Sequence, residues 1–75
     1  MTDTKLLREV IEDRGVKFSF IADRLGISRQ AFNQRLDLGL EFKAWEMLTI
    51  QDILHLTDAE ARAIFFANDV GKKAT

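Results

Sequence analysis

The sequence contains no cysteine, no proline and a single histidine. The absence of cysteine removes disulfide staples, thiolate metal sites and thiol redox chemistry together. One histidine leaves little from which to build a metal centre, so neither a metal nor a cofactor is expected. Long hydrophobic runs are also missing. The longest, Ala63 to Ala67, falls far short of the roughly 18 residues that span a bilayer, and Met1 opens a polar segment without a signal-peptide pattern. A soluble, cytoplasmic chain with no membrane partner is expected. A surplus of charge of one sign is lacking too: 11 basic and 12 acidic side chains leave a net charge of −1. Nucleic-acid binders usually carry a basic surplus, so the total argues against that class.

What is present is a foldable core. Leu, Ile, Val and Phe together number 24 of 75 residues, too many for a disordered chain. At this length one domain is expected, burying only roughly 60–65% of the surface its unfolded form exposes. The domain is placed at residues 1–67, with 68–75 as a flexible tail. The charge is unevenly spread: residues 1–13 carry −2, residues 14–43 carry +3, and residues 44–69 carry −4. The basic middle holds Arg14, Lys17, Arg24, Arg29, Arg35 and Lys43. It is either a solvated helical surface or a positive face offered to phosphates by a dipolar domain.

The apolar pattern is helical throughout. Thr2 to Thr4 supply N-cap candidates for a first helix, in which Leu6, Leu7, Val10 and Ile11 repeat at three and four residues before Gly15. A second helix from about Phe18 to Leu25 sets Ile21, Ala22 and Leu25 on one side and stops at Gly26. Ser28 caps a third, to about Leu36, whose inner side is Phe32 and Leu36. Residues 37–43 are expected to form a loop. A fourth helix, about Ala44 to Leu54, carries Met47, Leu48, Ile50, Ile53 and Leu54; Thr57 with Glu60 makes a capping box for a fifth, through about Phe66. Sustained alternation is absent, so the expected class is all-α: a compact orthogonal bundle of five short helices. Helices of two or three turns are marginal alone and must be held by packing.

The informative stretch is Phe18 to Leu36, FSFIADRLGISRQAFNQRL. Two short helices meet at Leu25-Gly26-Ile27-Ser28, Ala22 permits a close crossing, and Ile21, Leu25, Ile27 and Phe32 seal it. At 100° per residue, Arg29, Gln30, Asn33 and Gln34 share an arc of roughly 140° that avoids Phe32 and Leu36. Arg pairs with guanine, and Asn or Gln with adenine, in the major groove. A generic solvated face favours Glu and Lys instead.

The segment resembles the helix-turn-helix of phage-type regulators of the lambda CI and Cro (XRE) family, in the relative spacing of its Ala, Gly and hydrophobic residues. The likeness runs on through Phe42-Lys43-Ala44, Asp52-Ile53-Leu54 and Thr57-Asp58-Ala59-Glu60 to Ile64-Phe65-Phe66, covering roughly residues 3 to 67. It implies a lambda-repressor-like fold and a sequence-specific transcriptional regulator of a lysis-lysogeny switch. Such a regulator binds a double-stranded DNA operator as a homodimer, with the third helix in the major groove. It is not an enzyme, and no nucleophile-base pair or glycine-rich phosphate loop suggests otherwise. The pattern departs from the family at Phe18, where many relatives carry a glutamine that helps anchor DNA, and at Arg35, where a hydrophobic residue is common.

Lys17 and Lys43 stand near helix starts, where Ser or Thr is usual because the N-terminus is already partly positive. Either each draws a phosphate to the helix end, or the true N-cap lies elsewhere, for example at Ser19. Ser28 is a cap first and a phosphate contact second. Arg35 either snorkels or touches phosphate, and His55 reads as a helix cap or surface residue. Among the aromatics, Phe32, Phe42 and one of Phe65 and Phe66 suit the core. Phe18, Phe20 and Trp45 either close its periphery or form a protein-contact patch. The patch suits a rival function within the same resemblance, an antirepressor that binds a phage CI-type repressor by protein contact.

Overall fold

Each chain turn that the sequence punctuates becomes a helix end. The computed structural model describes residues 1–67, so the expected tail at 68–75 lies outside the described residues. Five α-helices follow in order: α1 (Thr4–Asp13), α2 (Phe18–Leu25), α3 (Arg29–Leu38), α4 (Ala44–Leu54) and α5 (Asp58–Phe65). No strand occurs among the described residues, so the chain is an all-α bundle. None of these helices is long and apolar enough to cross a membrane.

The caps explain the boundaries. Asp3 caps α1, its carboxylate accepting the Leu6 N–H at 3.0 Å. Gly26 ends α2 in the left-handed region at φ 75°, where the Ile27 N–H reaches back to the Ala22 carbonyl at 3.0 Å. Ser28 caps α3, accepting the Ala31 N–H at 3.0 Å. That helix runs to Leu38, beyond the expected end at Leu36 and into the expected 37–43 loop. The stop is Gly39, again left-handed at φ 67°, and helix continues to it past the last core residue. His55 ends α4 at φ 55°, as the one non-glycine residue with positive φ among those described. Thr57 and Glu60 cap α5 reciprocally, at 2.8 and 3.1 Å.

One core gathers all five helices. Leu7 and Ile11 of α1, Ile21, Ala22 and Leu25 of α2, Phe32 and Leu36 of α3, Ile50 and Leu54 of α4, and Ala61, Ile64 and Phe65 of α5 are buried, with Phe42 and Leu56 from the connections. Aromatic rings cross it in series. Phe18 lies edge-on to Phe32 at 5.8 Å between centroids, Phe32 is tilted on Phe42 at 6.1 Å, and Phe42 is edge-on to Phe65 at 6.2 Å. Leu48, expected in the α4 apolar row, is instead 66% exposed.

A buried charge fastens α3 to α4. Glu46 is 3% exposed and accepts both from the Arg35 guanidinium at 2.9 Å and from the Lys43 N–H at 2.8 Å. Arg35 also stacks over Phe42, 5.5 Å from the ring centroid, and is only partly exposed, so its guanidinium is committed to the α3–α4 contact. Burial raises the Glu46 carboxyl pKa. The hydrogen bonds from Arg35 and the Lys43 backbone, with both positive charges, outweigh that and hold it below its ordinary value of 4.5. Its contribution to stability is therefore complete above about pH 4.5 and is lost as pH falls through the lower folded value. We expect Glu46→Gln to cost about 2 kcal/mol at neutral pH and to flatten the acid limb of a thermal-melting series. The Glu60 carboxyl is also held below its ordinary value, by the Thr57 N–H and by Arg14, and acts in the same direction.

Candidate nucleic-acid interface

The side of α3 that Phe32 and Leu36 leave free is wholly polar in its first two turns. Ser28, Arg29, Gln30, Asn33 and Gln34 are all exposed. Arg29 and Asn33 line an open groove with Arg8 and Glu12 of α1 and with Lys17 and Ser19 at the start of α2. Ser28, Arg29, Gln30 and Asn33 line a second, smaller hollow. Five of the expected contact residues, Lys17, Ser28, Arg29, Gln30 and Asn33, are thus brought to two adjoining depressions. Gln34 lies one turn beyond Gln30 and lines neither. Lys43 lines neither as well, being set at the start of α4.

The two lysine-started helices differ. Lys17 is the N-cap of α2, in extended conformation at φ −78° and ψ 139°, with no side-chain cap bond; the cap is not displaced to Ser19. The first turn of α2 carries no acid. At α4 the Lys43 N–H is already taken by Glu46, a carboxylate in the first turn. The positive end of α2 is open, whereas that of α4 already holds an anion.

The cations of the basic middle are divided between structural and free ones. Arg14 donates to the Leu54 carbonyl and to Glu60, tying α1 to the α4–α5 turn, and Arg35 is held by Glu46. Arg24 lies over Phe20, 5.7 Å from its centroid. Lys17, Arg29 and Lys43 are in no ion pair among the described residues. The positive face is therefore smaller than the sequence count of six bases, and it centres on Lys17 and Arg29.

Arg8 and Asp37 were not among the expected residues. Arg8 crosses from α1 to donate to Asn33 Oδ1 at 3.0 Å and to Asp37 Oδ1 at 2.7 Å. Asp37 lies within the same arc as Arg29 and Asn33 and would have been found by following the 100° period one turn past Asn33. Arg8 had no local signal, because it stands in the acidic first segment and acts only through tertiary contact. Of the three aromatics proposed for protein contact, Phe18 packs on the core beneath Arg8. Phe20 and Trp45 remain 48% and 50% exposed.

No group of three acidic, histidine or cysteine side chains able to hold a metal occurs among the described residues. Comparison with known proteins finds no matching family model, no matching curated protein and no matching solved structure.

Ser28 and Thr57 cap their helices from the same extended backbone that Lys17 adopts, so a serine at position 17 needs no rearrangement. Lys17→Ser is expected to raise stability by about 1 kcal/mol, read as a higher midpoint in urea at unchanged slope. A lower midpoint would show that Lys17 stabilises the α2 start in a way its geometry does not reveal.

Proposed function

We propose that the chain is a sequence-specific DNA-binding transcriptional regulator of the phage CI/Cro helix-turn-helix type. It lays α3 in the major groove, with Arg29, Gln30, Asn33 and Gln34 toward base edges. The observation that carries this reading is the pairing of opposite faces on one short helix. Phe32 and Leu36 are buried, while Arg29, Gln30, Asn33 and Gln34 stand exposed beside the unpaired Lys17 at an open helix start. Arg and the amide side chains are the groups that pair with base edges, and a cation at a vacant helix N-terminus suits a backbone phosphate. Ser28 keeps its capping role. Lys43 is a weaker phosphate candidate than Lys17, since Glu46 already occupies the α4 start.

One such helix covers few base pairs, so a homodimer on a two-fold operator is the working form. With a net charge of −1, binding to arbitrary DNA is weak, and discrimination depends on the α3 contacts. The second reading, an antirepressor that captures a CI-type phage repressor, is favoured by the half-exposed Phe20 and Trp45.

Selection from a random duplex library, followed by titration at several salt concentrations, separates the two. A selected duplex should be bound specifically, with affinity falling as salt rises. Arg29→Ala should cost about 1–3 kcal/mol and relax preference at one base pair, whereas Lys17→Ser should weaken all duplexes alike and reduce the salt slope by about 1. Capture of a CI-type repressor that is lost in Trp45→Ala, with no duplex selected, would replace the first reading by the second.

A further inference from the structure

We propose that Arg8 is a positioning residue for base choice, fixing the Asn33 amide so that it favours a hydrogen-bond acceptor on a base edge, guanine or thymine, over adenine. The inference rests on the reading of α3 as the DNA-contacting helix.

The Arg8 guanidinium is held on three sides. One nitrogen donates to Asn33 Oδ1 at 3.0 Å, another donates to Asp37 Oδ1 at 2.7 Å, and its face lies 5.5 Å from the Phe18 ring centroid. Phe18 is itself locked edge-on against the buried Phe32. A guanidinium only donates, so the atom of the Asn33 amide that faces it is the oxygen. The amide NH2 is then the group left to a ligand. Pairing with adenine needs both halves of the amide, the oxygen accepting from N6 and the nitrogen donating to N7. Here one of the two lone pairs on that oxygen is taken by a charged donor, the stronger kind of hydrogen bond, so adenine N6 has to share the oxygen with Arg8 while the NH2 is unshared. Guanine presents O6 and N7, and thymine presents O4, all of which accept from an NH2 group.

The same guanidinium has a second effect. Asp37 shares the α3 face with Arg29 and Asn33, and its side chain is 64% exposed. Its charge opposes an approaching phosphate backbone unless neutralised, and Arg8 neutralises it. Base choice and overall affinity thus pass through one side chain by separate contacts, which makes them separable by mutation.

The experiment is duplex selection and equilibrium binding with the full chain, comparing wild type, Asn33→Ala, Arg8→Met, Arg8→Lys and the double variant Arg8→Met/Asp37→Asn. Thermal melting confirms that each is folded. Asn33→Ala should relax discrimination about 5- to 100-fold at one base pair, where the wild type prefers guanine or thymine. Arg8→Met should move that preference toward adenine and weaken all duplexes. Adding Asp37→Asn should restore affinity but not the original preference. Arg8→Lys, a point donor that lacks the fork, should restore at most one of the two effects. A wild-type preference for adenine at the Asn33-dependent pair overturns the inference while leaving the α3 reading intact. So does an unchanged preference in Arg8→Met, or an Asn33→Ala profile that matches wild type at every position. Failure of the wild type to select any duplex overturns the reading beneath it and the inference with it.

Discussion

The burial of Phe32 is the constraint from which the rest of the arrangement follows. α3 contributes two buried side chains to the core, Phe32 and Leu36, one turn apart. With so narrow an apolar row, the rotation of the helix about its axis is set chiefly by where the Phe32 ring sits. That ring is gripped by Phe18 on one side and Phe42 on the other, and Phe42 is gripped in turn by Phe65. Four segments of the chain therefore agree on one orientation. Burying a Phe side chain contributes about 1.5–3 kcal/mol, a large share of the stability of so small a domain. The polar side chains opposite owe their common direction to this packing.

Arginine plays the complementary part at the margin of the core. Arg8, Arg14 and Arg35 each reach from one helix to another segment and end on groups distant in sequence, at Asn33 and Asp37, at Leu54 and Glu60, and at Glu46. A lysine would supply the charge but not the two fixed donors that let Arg8 and Arg14 each hold two partners at once. The chain thus uses part of its basic complement as struts. Of the cations that remain uncommitted, Lys17 and Arg29 share one groove and make a modest positive patch on an otherwise balanced surface.

Much of this was readable from the sequence because it depends on local rules. Gly26 and the row of Ile21, Ala22 and Leu25 defined α2 at both ends, and the Thr57/Glu60 spacing opened α5 where expected. Phe32 and Leu36 were legible as the inner side of α3, and with them the exposure of Arg29, Gln30, Asn33 and Gln34. The misreadings have a common cause. Helix α3 was ended at its last apolar residue, though Gly39 was the true stop, so Asp37 was assigned to a loop and missed as part of the exposed face. The partners of Arg8, Arg14 and Arg35 lie in other elements, and no periodicity reports a contact between helices. Glu46 escaped notice because half of its capping box is a lysine, whose ammonium cannot accept a hydrogen bond. The outward turn of Leu48 was likewise decided by tertiary packing, and packing chose the core periphery for Phe18 between the two readings the sequence left open.

The N-terminal segment runs beside α5: the Asp3 N–H donates to the Ile64 carbonyl at 2.7 Å, and the Ala67 N–H donates to the Met1 carbonyl at 3.2 Å. Residues 1 and 67 are therefore neighbours, and the described chain is topologically almost a closed ring. Joining those positions would span a very short gap, and the entropy of closing it is correspondingly small. The linear order α1 to α5 then reflects where the ring is opened more than how the helices pack. A circular permutant opened between Gly39 and Leu40, in the connection that leaves α3, would leave Phe42 joined to α4 and give the helix that carries the exposed polar face a free end.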